Sequence, residues 1–288
     1  MVGMAETPAV RRTRELLRTG VDASSPMRGV LDVRVTDSTA REASPASASS
    51  VAGRLMTFSP LAAVYERAWR PLFRLWMGAG GPSVEEQRAY AVRDLGLVFP
   101  DVSVVLDVAC GPGNFSRSLA EAMLTGAHGR PLVTGLDVSE PLVIGLDASE
   151  PMIARASADT DDDEHVAYLL GDAREIPFED DAVDAVCCYA ALYLVPEPYR
   201  VLDEMIRVLR PGGRIALMTT VRRGPQPVGA VTAAAASTVG LEMFRRDDIT
   251  DVLRERGVEH VEQRIHGAAQ FVTGRLSRSD QDVPVSAP

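Results

Sequence analysis

From Asp101 onward, short apolar runs alternate with amphipathic segments, and this alternation restricts the fold more than any other feature of the chain. "SVVLDVA" (103–109) is apolar at nearly every position, the pattern of a parallel strand buried on both faces. A helical "GNFSRSLAEAML" follows, then a strand around "VIGLD", a helix "SEPMIARASA", and strands "HVAYLLGD" and "AVDAVCCYA". Next come a helix "EPYRVLDEMIRVL", the breaker "RPGG" and a strand "RIALMTT". Leu202, Met205, Ile206 and Leu209 give that helix one apolar face. Such an order predicts an α/β fold: a Rossmann-like, mostly parallel open sheet with helices on both faces and right-handed crossovers. The Ala-rich stretch 228–244 and "RDDITDVLRERG" predict further helices. "VEHVEQRIHG" and "AAQFVTGRL" predict two closing strands, joined tightly enough to be antiparallel. A ligand of such a sheet lies beyond the carboxyl ends of its strands.

The regions flanking this domain (98–276) read differently. Residues 1–55 are rich in Ala, Ser, Arg, Thr and Pro and hold no persistent apolar period, so they read as a disordered amino-terminal extension whose removal should be tolerated. Residues 56–97 read as a helical cap. "SPLAAVYERAWRPLFRLW" carries an apolar stripe with Tyr65, Trp69 and Trp76; "GAGGPS" breaks it, and Ser83 caps a second helix, "VEEQRAYAVRDLG". Packing against the main domain, a lid over an apolar substrate and contact with a membrane surface all fit this stripe. Residues 277–288 read as a flexible polar tail.

Composition removes several function classes. All 30 Lys and Arg positions are arginine, so a Walker A loop and a Schiff-base lysine are both excluded. A net charge of −10 argues against a nucleic-acid partner. The longest apolar run, Ala182 to Val195, is too short for a bilayer, and no secretory signal pattern is recognisable. Cys110, Cys187 and Cys188 form neither a zinc pattern nor a disulfide framework, which points to the reducing cytoplasm and to no metal site. Oligomeric state is not set by the sequence.

Two stretches carry chemistry. "VLDVACGPGNF" (105–115) is a strand ending near Asp107, a Gly-x-Gly turn and a helix start, where glycine permits positive φ and close approach of a ligand to the backbone. A dinucleotide fingerprint would place its third glycine at Ser116, so a nucleotide-type site without a pyrophosphate grip fits better. The other stretch is duplicated. "VTGLDVSEPL" (133–142) and "VIGLDASEPM" (143–152) agree at seven of ten positions. Two copies do not make a solenoid.

Asp107-Val-Ala-Cys-Gly111-Pro-Gly113 resembles the first motif of class I S-adenosylmethionine-dependent methyltransferases. "GLDASEPMIARA", "GDAREIPFEDDAVDAV" and "EMIRVLRPGGRIAL" resemble the segments that follow it, in the family's order. The likeness is greatest to the branch of ubiquinone, menaquinone and other small-molecule methyltransferases. It implies S-adenosylmethionine as cofactor, with the backbone of Gly111 and Gly113 beneath its methionine portion and Asp107 at its amino end. An acid closing the second strand would accept from both ribose hydroxyls. Asp172 would take the adenine amine and the Ala173 N–H a ring nitrogen, with Ala109 and Ala148 alongside. The sheet needs the duplicated element once. The second copy runs into its helix without a glycine, which favours Asp147 over Asp137 as the ribose acid.

The residues after strand four, Tyr189 to Tyr193, would flank the transferring methyl. Tyr189, Tyr193 and His266 are the candidates for a catalytic group, needed only where the acceptor must lose a proton. "CYAALYLVPEP" lacks the Asn/Asp-Pro-Pro-aromatic signature of members that methylate adenine or glutamine nitrogens. The expected acceptor is therefore a small, apolar molecule such as a quinone, polyketide or lipid phenol. A non-catalytic relative of this family and a nicotinamide-dependent oxidoreductase are the alternatives.

Overall fold

The computed structural model describes residues 6–34, 82–99, 101–125, 140–161, 164–222, 237 and 241–278. Eight strands form one sheet in the order β1-β4-β3-β2-β5-β6-β8-β7. They are β1 (Val30–Asp32), β2 (Val104–Val108), β3 (Leu142–Asp147), β4 (Val166–Leu170), β5 (Val183–Tyr189), β6 (Leu209–Thr220), β7 (Val258–His266) and β8 (Ala269–Leu276). All neighbouring pairs are parallel except β6–β8 and β7–β8. The mostly parallel sheet and its antiparallel closing hairpin are thus as the alternation predicts.

Helices cover both faces. Leu106, Ile144 and Val186 pack toward α1 (Pro8–Glu15), α5 (Pro198–Val208) and α6 (Asp248–Glu255). Val105, Val143 and Ala185 pack toward α2 (Val84–Asp94), α3 (Asn114–Thr125) and α4 (Glu150–Ala158). Ser83 starts α2 with a full capping box: its hydroxyl accepts from the Glu86 N–H, and the Glu86 carboxylate accepts from the Ser83 N–H. The "RPGG" stretch belongs to β6 itself. The ladder to β5 skips from Leu209 to Arg214 opposite Val183 and Ala185, so the turn is absorbed as a bulge.

The second copy of the duplicated block forms β3, paired with β2 and β4 along its length. Ile144 is fully buried there, whereas the first copy has Thr134 at the equivalent place, and a buried hydroxyl without a partner is costly. Asp137 and residues 133–139 of the first copy lie outside the described residues, as do Trp69 and Trp76 of the expected cap helix and nearly all of 228–240. Residues 241–244, the end of the expected Ala-rich helix 228–244, are not helical. No helix of the described residues is long and apolar enough to cross a membrane.

The expected disorder of residues 1–55 is corrected over 6–34, which are built into the domain. Thr7 caps α1 by accepting from the Val10 N–H, with Pro8 in the first turn. Ala9, Val10, Val30 and Leu31 are buried, and β1 adds a parallel strand to the outer side of β4. A three-residue strand is too short to show a period, and its partner lies more than 130 positions away, so nothing local announces it.

Candidate functional site

The strand order reverses between β2 and β5, and a cavity of about 270 Å³ opens at the carboxyl ends of β2, β3, β4 and β5. Its lining brings together Asp107, Ala109, Gly111, Asp147, Ala148, Asp172, Ala173 and Tyr189. These come from four separate sequence segments.

The turn after β2 forms the floor. Gly111 has φ +56°, and a Cβ placed on it would meet nothing within 4 Å, so the missing side chain leaves cavity space. Ala109 at φ 57° and Ala190 at φ 60° also line the cavity, one at the end of each strand flanking the reversal. Left-handed backbone at a non-glycine residue stores strain of about 1–3 kcal/mol and tends to gather at functional sites. Gly113 lies outside the lining. A Cβ there would stand 2.8 Å from Tyr168 Cε1, and one on Gly145 would stand 2.8 Å from Tyr168 Cδ1. Both glycines therefore make room for the same buried ring.

Two carboxylates, Asp107 and Asp147, line the cavity beside the turn after β2. The Asp107 side chain is buried; it accepts from the Ser116 hydroxyl at 2.6 Å and the Cys187 thiol at 3.6 Å, and forms no ion pair among the described residues. Burial, with a smaller contribution from the Asp147 charge, pushes its carboxyl up to about 7. Ser116 stands where a dinucleotide fingerprint has its third glycine, and here its hydroxyl is committed to Asp107. Asp147 accepts from the Gly111 N–H and the Ser149 N–H, each at 2.8 Å. Burial raises its carboxyl, and these backbone donors oppose the rise. Ser149 occupies the start of α4 without a side-chain cap bond, and its own N–H donates to the Asp147 carboxylate.

At the third wall Asp172 pairs with Arg174, which donates through Nη2 at 2.6 Å and Nε at 3.0 Å and reaches Glu197 through Nη1 at 2.9 Å. Burial raises Asp172, but the Arg174 bonds and charge outweigh it and the carboxyl ends below its ordinary value. The opposite wall is aromatic. Phe115 and Tyr189 stack with centroids 4.6 Å apart, and Gln87 of α2 joins the lining.

Tyr189 lines the cavity, and burial pushes its phenol well above its ordinary value. The structure does not bring the other two catalytic candidates to the cavity. Tyr193 is buried in the core of one face. His266 stacks on Tyr90 at 6.2 Å and meets the edge of Phe271 at 5.8 Å. The lining also holds Gln87, Phe115 and Arg174, which sequence reasoning did not assign, while Ala190 lies within the expected stretch Tyr189 to Tyr193. Only the Phe directly after the glycine turn offered a local signal.

A family model described as a methyltransferase domain matches residues 106–217. The chain is 33% identical over 198 residues to an arsenite methyltransferase of Halobacterium salinarum, covering 65% of this chain and 42% of that protein. It is 37% identical over 116 residues to a demethylmenaquinone methyltransferase of Listeria welshimeri, covering 40% and 44%. The chain spans about half the length of the curated relatives it matches. A solved structure of a putative methyltransferase from Bacillus halodurans superposes with a TM-score of 0.53 at 16% identity, over 67% of this chain and 99% of that one; the likeness is one of fold. Sheet order and family match agree on a methyltransferase domain over residues 106–217, set in a Rossmann-like sheet.

Proposed function

We propose that the protein transfers the methyl group of S-adenosylmethionine to a small, apolar acceptor such as a quinone, polyketide or lipid-like phenol. The observation that carries this reading is the cavity at the strand reversal, where Asp107 and Asp147 face open space above Gly111. The residues fit the cofactor. Asp107, buried without an ion pair, suits its positively charged portion, and Asp147, at the end of β3, suits the ribose diol. Asp172 and the Ala173 N–H would meet the adenine, with Arg174 holding the Asp172 carboxylate in place.

The bound cofactor supplies an already activated methyl group. What this chain adds is alignment and exclusion of water, which supply a large part of the acceleration in such a transfer. Phe115 and Tyr189 present an apolar face to the acceptor, and Gln87 offers one polar contact. The cap helix α2 thus reaches the acceptor end, which supports a covering role for residues 56–97. Among the three thiols, only Cys110 lines the cavity, and burial holds it protonated. This set favours an organic acceptor over arsenite, which calls for several thiolates. Three buried free cysteines suit a reducing cytoplasm, and the acidic charge disfavours nucleic acid.

Purified protein incubated with methyl-labelled cofactor and a lipid extract should move label into the organic phase. Label recovered in precipitated protein or nucleic acid would contradict the small acceptor. Cofactor binding with no transfer to any extract would favour a non-catalytic relative.

A further inference from the structure

The amino-terminal segment touches the approach to β3, helix α4 and strand β4. The Arg12 guanidinium donates to the backbone oxygens of Glu140 and Pro141, at the start of β3. The Ser157 hydroxyl of α4 donates to the Arg28 oxygen at 2.6 Å. The Tyr168 N–H of β4 donates to the Gly29 oxygen at 2.8 Å, and the Val33 N–H donates to the Leu170 oxygen at 3.1 Å. Arg34 bonds Asp32 and reaches Glu150 in the first turn of α4 at 3.3 Å.

The last of the β4 contacts, that of Val33 with Leu170, lies next to Gly171, which lines the cavity directly after β4. A Cβ on Gly171 would stand 2.8 Å from Val33 Cγ2 and 3.3 Å from Leu146 Cδ1, so the glycine is pressed against the arm. The Gly171 N–H donates to the backbone oxygen of Asp147 at 3.1 Å. One short chain of contacts therefore runs from Val33 through Gly171 to the residue proposed to hold the ribose, and Asp172 and Ala173 follow Gly171 directly.

We propose that residues 6–34 are a positioning element of the cofactor site, with Val33 seating the Gly171–Ala173 wall against Asp147. The inference rests on reading the cavity as the cofactor site. Val33 itself does not line the cavity; it acts through Gly171. Sequence reasoning treated the segment as dispensable, and the packing makes it part of the binding wall.

The test is steric suppression, read by calorimetric titration with S-adenosylhomocysteine and by the Tm of the unliganded protein. Gly171→Ala adds a methyl that Val33 must yield to, and binding should weaken about tenfold. Adding Val33→Ala should return affinity to within about threefold of the unaltered protein, because the smaller side chain makes room for that methyl. A Gly171→Ala protein that binds as tightly as the unaltered one overturns the inference. So does a double variant whose Tm recovers while its affinity does not, since that outcome confines Val33 to stability. Failure of the unaltered protein to bind S-adenosylhomocysteine overturns the cofactor reading, and this inference with it.

Discussion

At one end of the cavity Asp107, Asp147, Asp172 and Gly111 present carboxylates and open backbone; at the other, Phe115 and Tyr189 present a stacked apolar face beside Gln87. The first end is held by backbone hydrogen bonds, such as those from Gly111 and Ser149 to Asp147. The second is held by ring packing, which tolerates changes of shape more readily. Under the proposed function, the difference means that the nucleoside would be held by the fold, whereas acceptor choice would rest on side chains that can be exchanged without disturbing it. Substitutions should therefore separate into two classes.

The largest effect is expected at the floor. Gly111→Val puts a branched side chain into cavity space at φ +56°, where an L-residue costs about 1–2 kcal/mol in backbone alone. S-adenosylhomocysteine affinity should fall by at least about 100-fold, measured by calorimetry, with the circular dichroism spectrum retained. Retained affinity would mean that the ligand does not cross Gly111.

A pH effect comes next. The Asp107 carboxyl of the unliganded protein is raised to about 7, and a cationic ligand favours its ionised form. Affinity should thus be full above that value and weaken about tenfold between pH 8 and pH 6, with proton release detectable in buffers of different ionisation enthalpy. The sign for stability is opposite. A carboxyl raised from 3.8 to about 7 in the folded state makes the unliganded protein less stable as pH rises through that interval. Asp107→Asn should flatten both dependences.

The smallest effect on the cofactor is expected at the aromatic end. Phe115→Ala removes a stacking partner worth about 0.5–1.5 kcal/mol beyond its buried area. Acceptor KM should rise several-fold, by about the factor that energy implies, while cofactor affinity stays within about twofold. Comparable losses for both ligands would erase the distinction between the two ends.

The same contrast describes what was legible in the sequence. The strand–turn–helix around Asp107 and the second copy of the block are contiguous, so period, glycine spacing and order reveal them. Residues contributed by tertiary proximity were not readable: Gln87 arrives from α2 and Arg174 by its pairing with Asp172. The packing demand at Gly113 was not readable either, since a glycine demanded by the Tyr168 ring looks the same in sequence as one demanded by a ligand. The segment 6–34 was misread because its order comes from a three-residue strand and scattered contacts to distant parts of the chain.

The central claim, that Asp147 at the end of β3 holds the cofactor's ribose, is tested most directly by titrating S-adenosylhomocysteine into Asp147→Ala and Asp137→Ala proteins. Two charge-assisted hydrogen bonds, each worth roughly 1.5–3 kcal/mol, are lost with the engaged carboxylate. The account predicts that Asp147→Ala weakens binding by about 100-fold or more while Asp137→Ala binds as the unaltered protein does. Full affinity in Asp147→Ala, with the loss in Asp137→Ala instead, would contradict it.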